Sequence, residues 1–320
     1  MLKIPEMWLW DFWFAQDGPY YHIFYLQAPK SLGDEKLRHW HATIGHAVSE
    51  DLTNWEILPD ALHPTDSSKP SWDNYTTWTG SVIAYGGLWY LYYTGSSREE
   101  NGLVQRIGFA SSDDLVNWRK FPNNPVLVAD SEQYEILESG LWHDQAWRDP
   151  WLFFYDGAFH CYVTARVNYG PSLERGVIAH ATSQDLIHWS VMEPVTNPGE
   201  FGFLEVPQLV NIDERWYLFF CTGTRVFSEQ RLERPGVNPE IGTHYMVADN
   251  PLGPFKMVAD DFLIGDEVGS RYTCKVIKNP SGDWVILWTL AWSEDGYVGE
   301  ISDPVPLHIG ERGLLSVTIE

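Results

Sequence analysis

The chain reads as an all-β fold of five repeated units, each a four-stranded antiparallel sheet, and two repeats running in step predict it. The first repeat is a Trp- and Tyr-rich strand at residues 20–25, 89–94, 159–164, 216–221 and 284–289, each copy beginning 57 to 70 residues after the last. The second follows it in every early unit: Ile-Gly-His-Ala-Val-Ser-Glu-Asp-Leu at residues 44–52 with Trp55, then residues 107–115 with Trp118, then residues 178–186 with Trp189. A worn fourth copy at residues 245–249 leads to Phe255. Four short antiparallel strands repeated in this way make the blade of a β-propeller, and five blades around a central channel account for nearly the whole chain.

Each blade then follows in order. Ahead of every signature strand lies another apolar strand, at residues 8–14, 78–85, 147–155, 204–212 and 272–278. This is the first strand of each blade, the one that faces the channel. After the signature strand comes a third strand, and the Ser-x-Asp-Leu stretch turns it into a fourth that begins near the Trp, because Ser and Asp side chains bond nearby backbone groups. The fifth blade is expected to finish with residues 297–301 and 314–319. A two-sheet sandwich also has short strands and turns, but it does not require the same four-strand pattern five times. One long irregular insertion, residues 130–146, is of a size that usually serves a function.

Composition fits one closed β domain over residues 1–320. Hydrophobic residues make up 44% of the chain, yet no apolar run approaches the roughly 18 residues of a membrane span, so no membrane insertion is expected. The opening Met1-Leu2-Lys3-Ile4-Pro5 runs directly into the first strand, which suggests a cytoplasmic protein without a secretory signal. Lys and Arg number 21 against 44 Asp and Glu, and a formal charge of −23 argues against nucleic acid as a partner. Cys161, Cys221 and Cys274 all fall in strands without framework or zinc spacing, as reduced buried thiols would.

Counting back about ten residues from each signature strand gives Asp11, Gly80, Asp149, Glu205 and Thr273. In a propeller Asp11, Asp149 and Glu205 would therefore converge on the channel. Like charges at close range repel, so at least one of the three must shift its pKa to remain protonated. Such carboxyl pairs are what glycoside hydrolysis uses: one donates a proton to the leaving oxygen while another attacks the anomeric carbon or activates water. A buried ion pair, such as Arg148 with a neighbouring acid, is the competing structural explanation.

At these residues the chain resembles the furanosidase clan of five-bladed propellers, chiefly glycoside hydrolase families 32 and 68. Trp10-Asp11-Phe12-Trp13 is closer to the W-D-S-W-P of family 68 than to the W-M-N-D-P-N-G of family 32. Arg148-Asp149-Pro150 matches the R-D-P of both, Glu205-Val206-Pro207 resembles E-C-P, and Trp78-Thr79-Gly80-Ser81 resembles [FW]-S-G-S. His39-Trp40-His41 through Trp55 is similar to the H-W-G-H-A-x-S-x-D-L-x-x-W stretch of family 32. Asn and Pro are absent around Asp11, and Val206 replaces the usual Cys. Family 32 usually carries a C-terminal β-sandwich, for which the residues after the fifth repeat leave no length.

The resemblance implies that Asp11 is the nucleophile, Glu205 the acid/base, and Asp149 a transition-state stabiliser that also binds sugar hydroxyls. It further implies a retaining β-fructofuranosidase acting on sucrose or short fructans. An inverting family 43-like arabinofuranosidase or xylosidase would use the same three positions with Asp11 as base for water, and a family 68-like enzyme would transfer the fructosyl unit to a sugar. A noncatalytic sugar-binding propeller is the non-enzyme alternative.

The expected partner is an oligosaccharide or small glycoside. Trp10, Trp13, Trp40, Trp72 and Trp78 are the candidate sugar-stacking rings, with Trp72 foremost because its surroundings do not repeat, and Arg148 is a candidate hydroxyl contact. Glu138, Trp142 and His143 of the 130–146 insertion are expected to wall off one side of the pocket, with cover for a blade edge as the alternative. His244 resembles a channel His that binds calcium in family 43, but no acidic loop has calcium spacing, so neither metal nor other cofactor is expected. An oligomer remains open.

Overall fold

The local rule that builds the repeat is a turn in which one carboxylate stands in for missing backbone partners. Asp51 accepts the backbone N–H groups of Thr53 and Asn54 at 2.9 and 2.7 Å, Asp114 those of Val116 and Asn117 at 2.9 and 2.7 Å, and Asp185 those of Ile187 and His188 at 2.9 and 2.8 Å. These donors hold all three carboxyls well below the usual carboxylate range. The next residue, Leu52, Leu115 or Leu186, takes a left-handed φ of 64°, 62° or 66° and plugs the core. A leucine in that conformation costs energy; its burial offsets the cost.

The computed structural model describes residues 1–238 and 240–319. Its five sheets form a five-bladed propeller. Blade one is Met7–Asp17, Tyr20–Pro29, Thr43–Ser49 and Glu56–Leu62; blade two is Thr76–Tyr85, Leu88–Ser96, Gln105–Ser112 and Arg119–Lys120. Blade three is Trp147–Tyr155, Ala158–Arg166, Gly176–Ser183 and Trp189–Met192. Blade four is Glu205–Ile212, Arg215–Thr222, Ile241–Ala248 and Lys256–Met257, with Ile264–Asp266 added against its third strand. Every signature strand is the second of its blade. No helix among the described residues is long and apolar enough to cross a membrane.

Blade five departs from expectation. Arg271–Lys278 and Trp284–Ser293 are in place, and Gly296–Ile301 pairs with one end of the latter, but the sheet continues through Val305–Ile309 and Leu315–Val317. The strand at 305–309 is disguised by Pro304 and Pro306, which read as breakers. Leu2 closes the ring by exchanging two backbone hydrogen bonds of 2.9 Å with Ile301.

Five apolar clusters hold the ring, one in each gap between neighbouring blades. The repeated Trp belongs to these gaps: Trp118 of blade two meets Phe24 of blade one edge-on, and Trp189 of blade three meets Tyr92 of blade two. Cys161, Cys221 and Cys274 are buried and free.

Candidate active site

A regular strand sends neighbouring side chains to opposite faces, so one strand should offer the channel every second residue. All five first strands break this rule with a β-bulge, between Trp10 and Phe12, between Trp78 and Gly80, and opposite Val163, Phe220 and Trp288. The bulge residues Asp11, Asp149, Val206 and Thr273 have φ of 31°, 60°, 53° and 50°. In blade two Thr79 is the unpaired residue, and a Cβ on Gly80 would lie 2.0 Å from the Tyr92 carbonyl oxygen. Each blade consequently turns two adjacent side chains into one cleft of about 640 Å³, a size suited to a small ligand.

This geometry corrects the aligned column. The bulge residues are Asp11, Thr79, Asp149, Val206 and Thr273, and the residues just before them are Trp10, Trp78, Arg148, Glu205 and Tyr272. Glu205 thus shares a position with Arg148 and not with Asp149, and Gly80 lies one residue past its true equivalent. Asp11, Asp149 and Glu205 reach the same cleft even so.

Each carboxyl is held differently. The two oxygens of Asp11 accept the hydroxyls of Thr79 and Thr273, both at 2.6 Å. Asp149 Oδ2 accepts Thr164 Oγ1 at 3.0 Å and the Val206 N–H at 3.1 Å. Glu205 accepts Arg148 Nη2 at 2.7 Å and the Tyr272 phenol at 2.8 Å. Arg148 is itself fixed by Gln105 Oε1 at 3.1 Å, with Asp149 and Asp144 each 3.8 Å away. Burial pushes the Asp149 carboxyl up to about 7; Arg148 pulls against this, and the charges of Asp11 and Glu205 add to it. Asp149 therefore keeps its proton to a higher pH than an ordinary carboxyl does.

Of the other sequence candidates, Trp10, Trp78 and Arg148 line the cleft, and so do Trp142 and His143 of the insertion, whereas Glu138 does not. The insertion is tied down by Glu135, which meets Arg166 at 2.6 Å and Arg175 at 3.2 Å, with Arg166 lying 4.1 Å over the Trp142 ring. Three tryptophans fall outside the cleft. Trp13 is fully buried in the gap between blades one and two, stacked on Phe24. Trp40 lies behind the wall, stacked on Tyr75 and leaning on Trp78. Trp72 is a wedge within blade two, seated on Gly95 and Gly108, where a Cβ would approach its ring to 2.4 and 2.5 Å. Its surroundings do not repeat because only blade two provides that pair of glycines, not because it meets a ligand. His244 is buried away from the cleft, stacked on Phe262. Among the described residues no group of three His, Cys, Asp or Glu side chains is placed to hold a metal.

Sequence reasoning passed over Thr79, Tyr272, Gln105 and Arg38, all of which line the cleft. Thr79 and Tyr272 were findable by reading two neighbouring columns of the repeat in place of one.

The model of the glycosyl hydrolases family 32 N-terminal domain matches residues 13–298. The chain belongs to glycosyl hydrolase family 32. Among curated proteins of this family, it is 34% identical to "Beta-fructofuranosidase, insoluble isoenzyme 7" of Oryza sativa subsp. indica over 61% of this chain and 30% of that one. It is 30% identical to "Fructan 6-exohydrolase" of Triticum aestivum over 88% of this chain and 48% of that one. The chain thus spans less than half the length of these family 32 relatives. Among solved structures it superposes on the inulosucrase of Halalkalicoccus jeotgali bound to kestose with a TM-score of 0.80 at 20% identity, covering 98% of this chain and 88% of that one. On the Bombyx mori family 32 β-fructofuranosidase the TM-score is 0.72 at 19% identity, over 99% and 64% of the two chains. At such identities these superpositions establish the fold.

Proposed function

We propose that this family 32 chain is a retaining β-fructofuranosidase that acts on sucrose or short fructans. The observation that carries the reading is the convergence of three differently held carboxyls on one cleft of small-sugar size. Asp11 Oδ attacks C2 of the fructofuranosyl unit, and the C2–O bond to the leaving group breaks with its electron pair passing to that oxygen. Glu205 delivers a proton to the same oxygen. Water then adds to C2 as Glu205 takes back a proton, and Asp11 is released. The threonine hydroxyls on Asp11 fix its direction without cancelling its charge, and Asp149 faces the positive charge that spreads over the ring. Arg148 links Asp149 and Glu205, so the two sides of the reacting carbon are held in fixed relation.

The names of the curated relatives, which include β-fructofuranosidases and a fructan exohydrolase, also support this substrate class. The test is sugar release from sucrose, inulin, levan and an aryl α-L-arabinofuranoside by the wild type beside Asp11→Ala and Glu205→Ala. Fructose release by the wild type, lost in both variants, is expected. Arabinose release alone would move the chain to an inverting arabinofuranosidase, and sugar binding without release from any substrate would leave a binding propeller.

A further inference from the structure

The cleft has a floor and a wall of different construction. Its floor is the five bulged first strands, where the carboxyls lie; its wall is made of loops and the ends of outer strands, and the segment Glu35–His41 between the second and third strands of blade one supplies Arg38 to it. Arg38 is only 9% exposed. Its guanidinium lies 4.0 Å from the Tyr297 ring centroid, 5.6 Å from that of Trp10 and 5.9 Å from that of Trp292. Nη1 donates to the Glu35 carbonyl at 2.9 Å, while the buried Nε has no partner. Among the described residues no Asp or Glu carboxylate comes within 4.0 Å of it.

That isolation is unlike the rest of the molecule. The other buried arginines each face a carboxylate: Arg166 and Arg175 meet Glu135 at 2.6 and 3.2 Å, and Arg231 meets Glu200 at 3.0 Å. In a chain with 44 acids and 21 bases, a buried cation left without an acid is not short of available partners. Three aromatic faces offset part of its charge, and burial pushes the Tyr297 phenol up, so that ring stays neutral and is no counter-ion. A planar donor packed among rings in the lining of a ligand cleft, with no acid beside it, is built to meet acceptor oxygens.

We propose that Arg38 is a specificity residue that donates hydrogen bonds to oxygens on the part of the substrate expelled in the reaction, its hydroxyls or an anionic substituent on them. The assignment to the expelled part follows from the construction of the cleft: the unit that reacts sits on the floor over Asp11, Asp149 and Glu205, and what lies beyond the broken bond meets the wall, where Arg38 stands. The proposal rests on the β-fructofuranosidase reading.

The test compares kcat/KM on sucrose, on sucrose 6-phosphate and on p-nitrophenyl β-D-fructofuranoside, whose leaving group has no hydroxyls, for wild type, Arg38→Met and Arg38→Lys. Each result is read as a ratio between substrates within one preparation, so a smaller folded fraction cancels. The expected result is that Arg38→Met lowers the sucrose-to-aryl ratio on the order of 10- to 100-fold, with Arg38→Lys in between. A larger loss on sucrose 6-phosphate than on sucrose would identify an anionic substituent as the partner, and the reverse order a hydroxyl. Equal losses on sucrose and the aryl substrate would overturn the proposal while leaving the fructofuranosidase reading intact. A wild type that turns over none of the three would overturn both.

Discussion

Asp11 and Glu205 face the same cleft but are gripped by different chemistry. Asp11 takes only neutral hydroxyls, one from blade two and one from blade five, each at 2.6 Å. Glu205 takes a guanidinium from blade three at 2.7 Å and a phenol from blade five at 2.8 Å. A group that must attack carbon keeps its electron density best when its neighbours carry no full charge. A group whose proton comes and goes needs a partner able to hold it in place in both states, and Arg148, anchored by Gln105, can do so. The two grips thus separate orientation without charge from orientation with charge.

The comparison breaks most visibly at the leaving group. Glu205→Ala should lower kcat/KM on sucrose about a thousandfold, yet far less on p-nitrophenyl β-D-fructofuranoside, whose leaving group needs no proton. Asp11→Ala should lose a thousandfold or more on both, and initial rates on the two substrates decide it. The threonine grip is sharpened next: Thr79→Val or Thr273→Val should reduce kcat roughly tenfold with little change in KM, since each leaves one oxygen of Asp11 unrestrained. Equal rises in KM would instead make the threonines ground-state contacts.

Asp149 gives a smaller effect with a definite sign. Its folded value of about 7 lies above the ordinary 3.8, so between those values the folded form keeps a proton that the unfolded chain has released. Stability therefore falls as pH rises through this window, and the full cost of burying the charge is present above pH 7. Asp149→Asn should abolish activity but melt higher than the wild type at pH 8, by about 5 °C, with no difference near pH 3.5.

The smallest effect runs the other way, in the buried pairs His22 with His46 and His160 with His180, each joined at 2.9 Å. Burial lowers His46 to about 3 and His180 to about 4, from 6.5. As pH falls below 6.5 the unfolded chain takes protons the fold refuses, and stability is lost towards pH 4. Thermal melts of wild type and the His160→Phe/His180→Leu double variant at pH 7 and 4.5 should show a shallower loss in the variant.

Blade order was legible because it depends on periodicity, and the Asp51, Asp114 and Asp185 turns repeat almost residue for residue; Asp11, Asp149 and Glu205 were legible through their motifs at blade spacing, although Glu205 stands one column away from the other two. Bulges were not legible, since an extra residue in a strand leaves no mark on composition; the shift of Glu205 against Asp149 and the omission of Thr79 and Tyr272 have that one cause. Trp72 misled because a missing repeat was read as function, when its setting is two glycines distant in sequence. Arg38 lies in an irregular loop, and nothing in its local sequence reports that three rings enclose it.

The bond from Thr273 to Asp11 joins residues 262 apart in sequence, across the same gap that Leu2 and Ile301 fasten. The proposed nucleophile thus straddles the seam where the first and fifth blades meet, and the seam acts as a fuse. On heating, parting of that clasp frees one oxygen of Asp11 while the gaps between blades two, three and four remain packed, so catalysis should fail at a temperature where the circular dichroism of the strands is still intact.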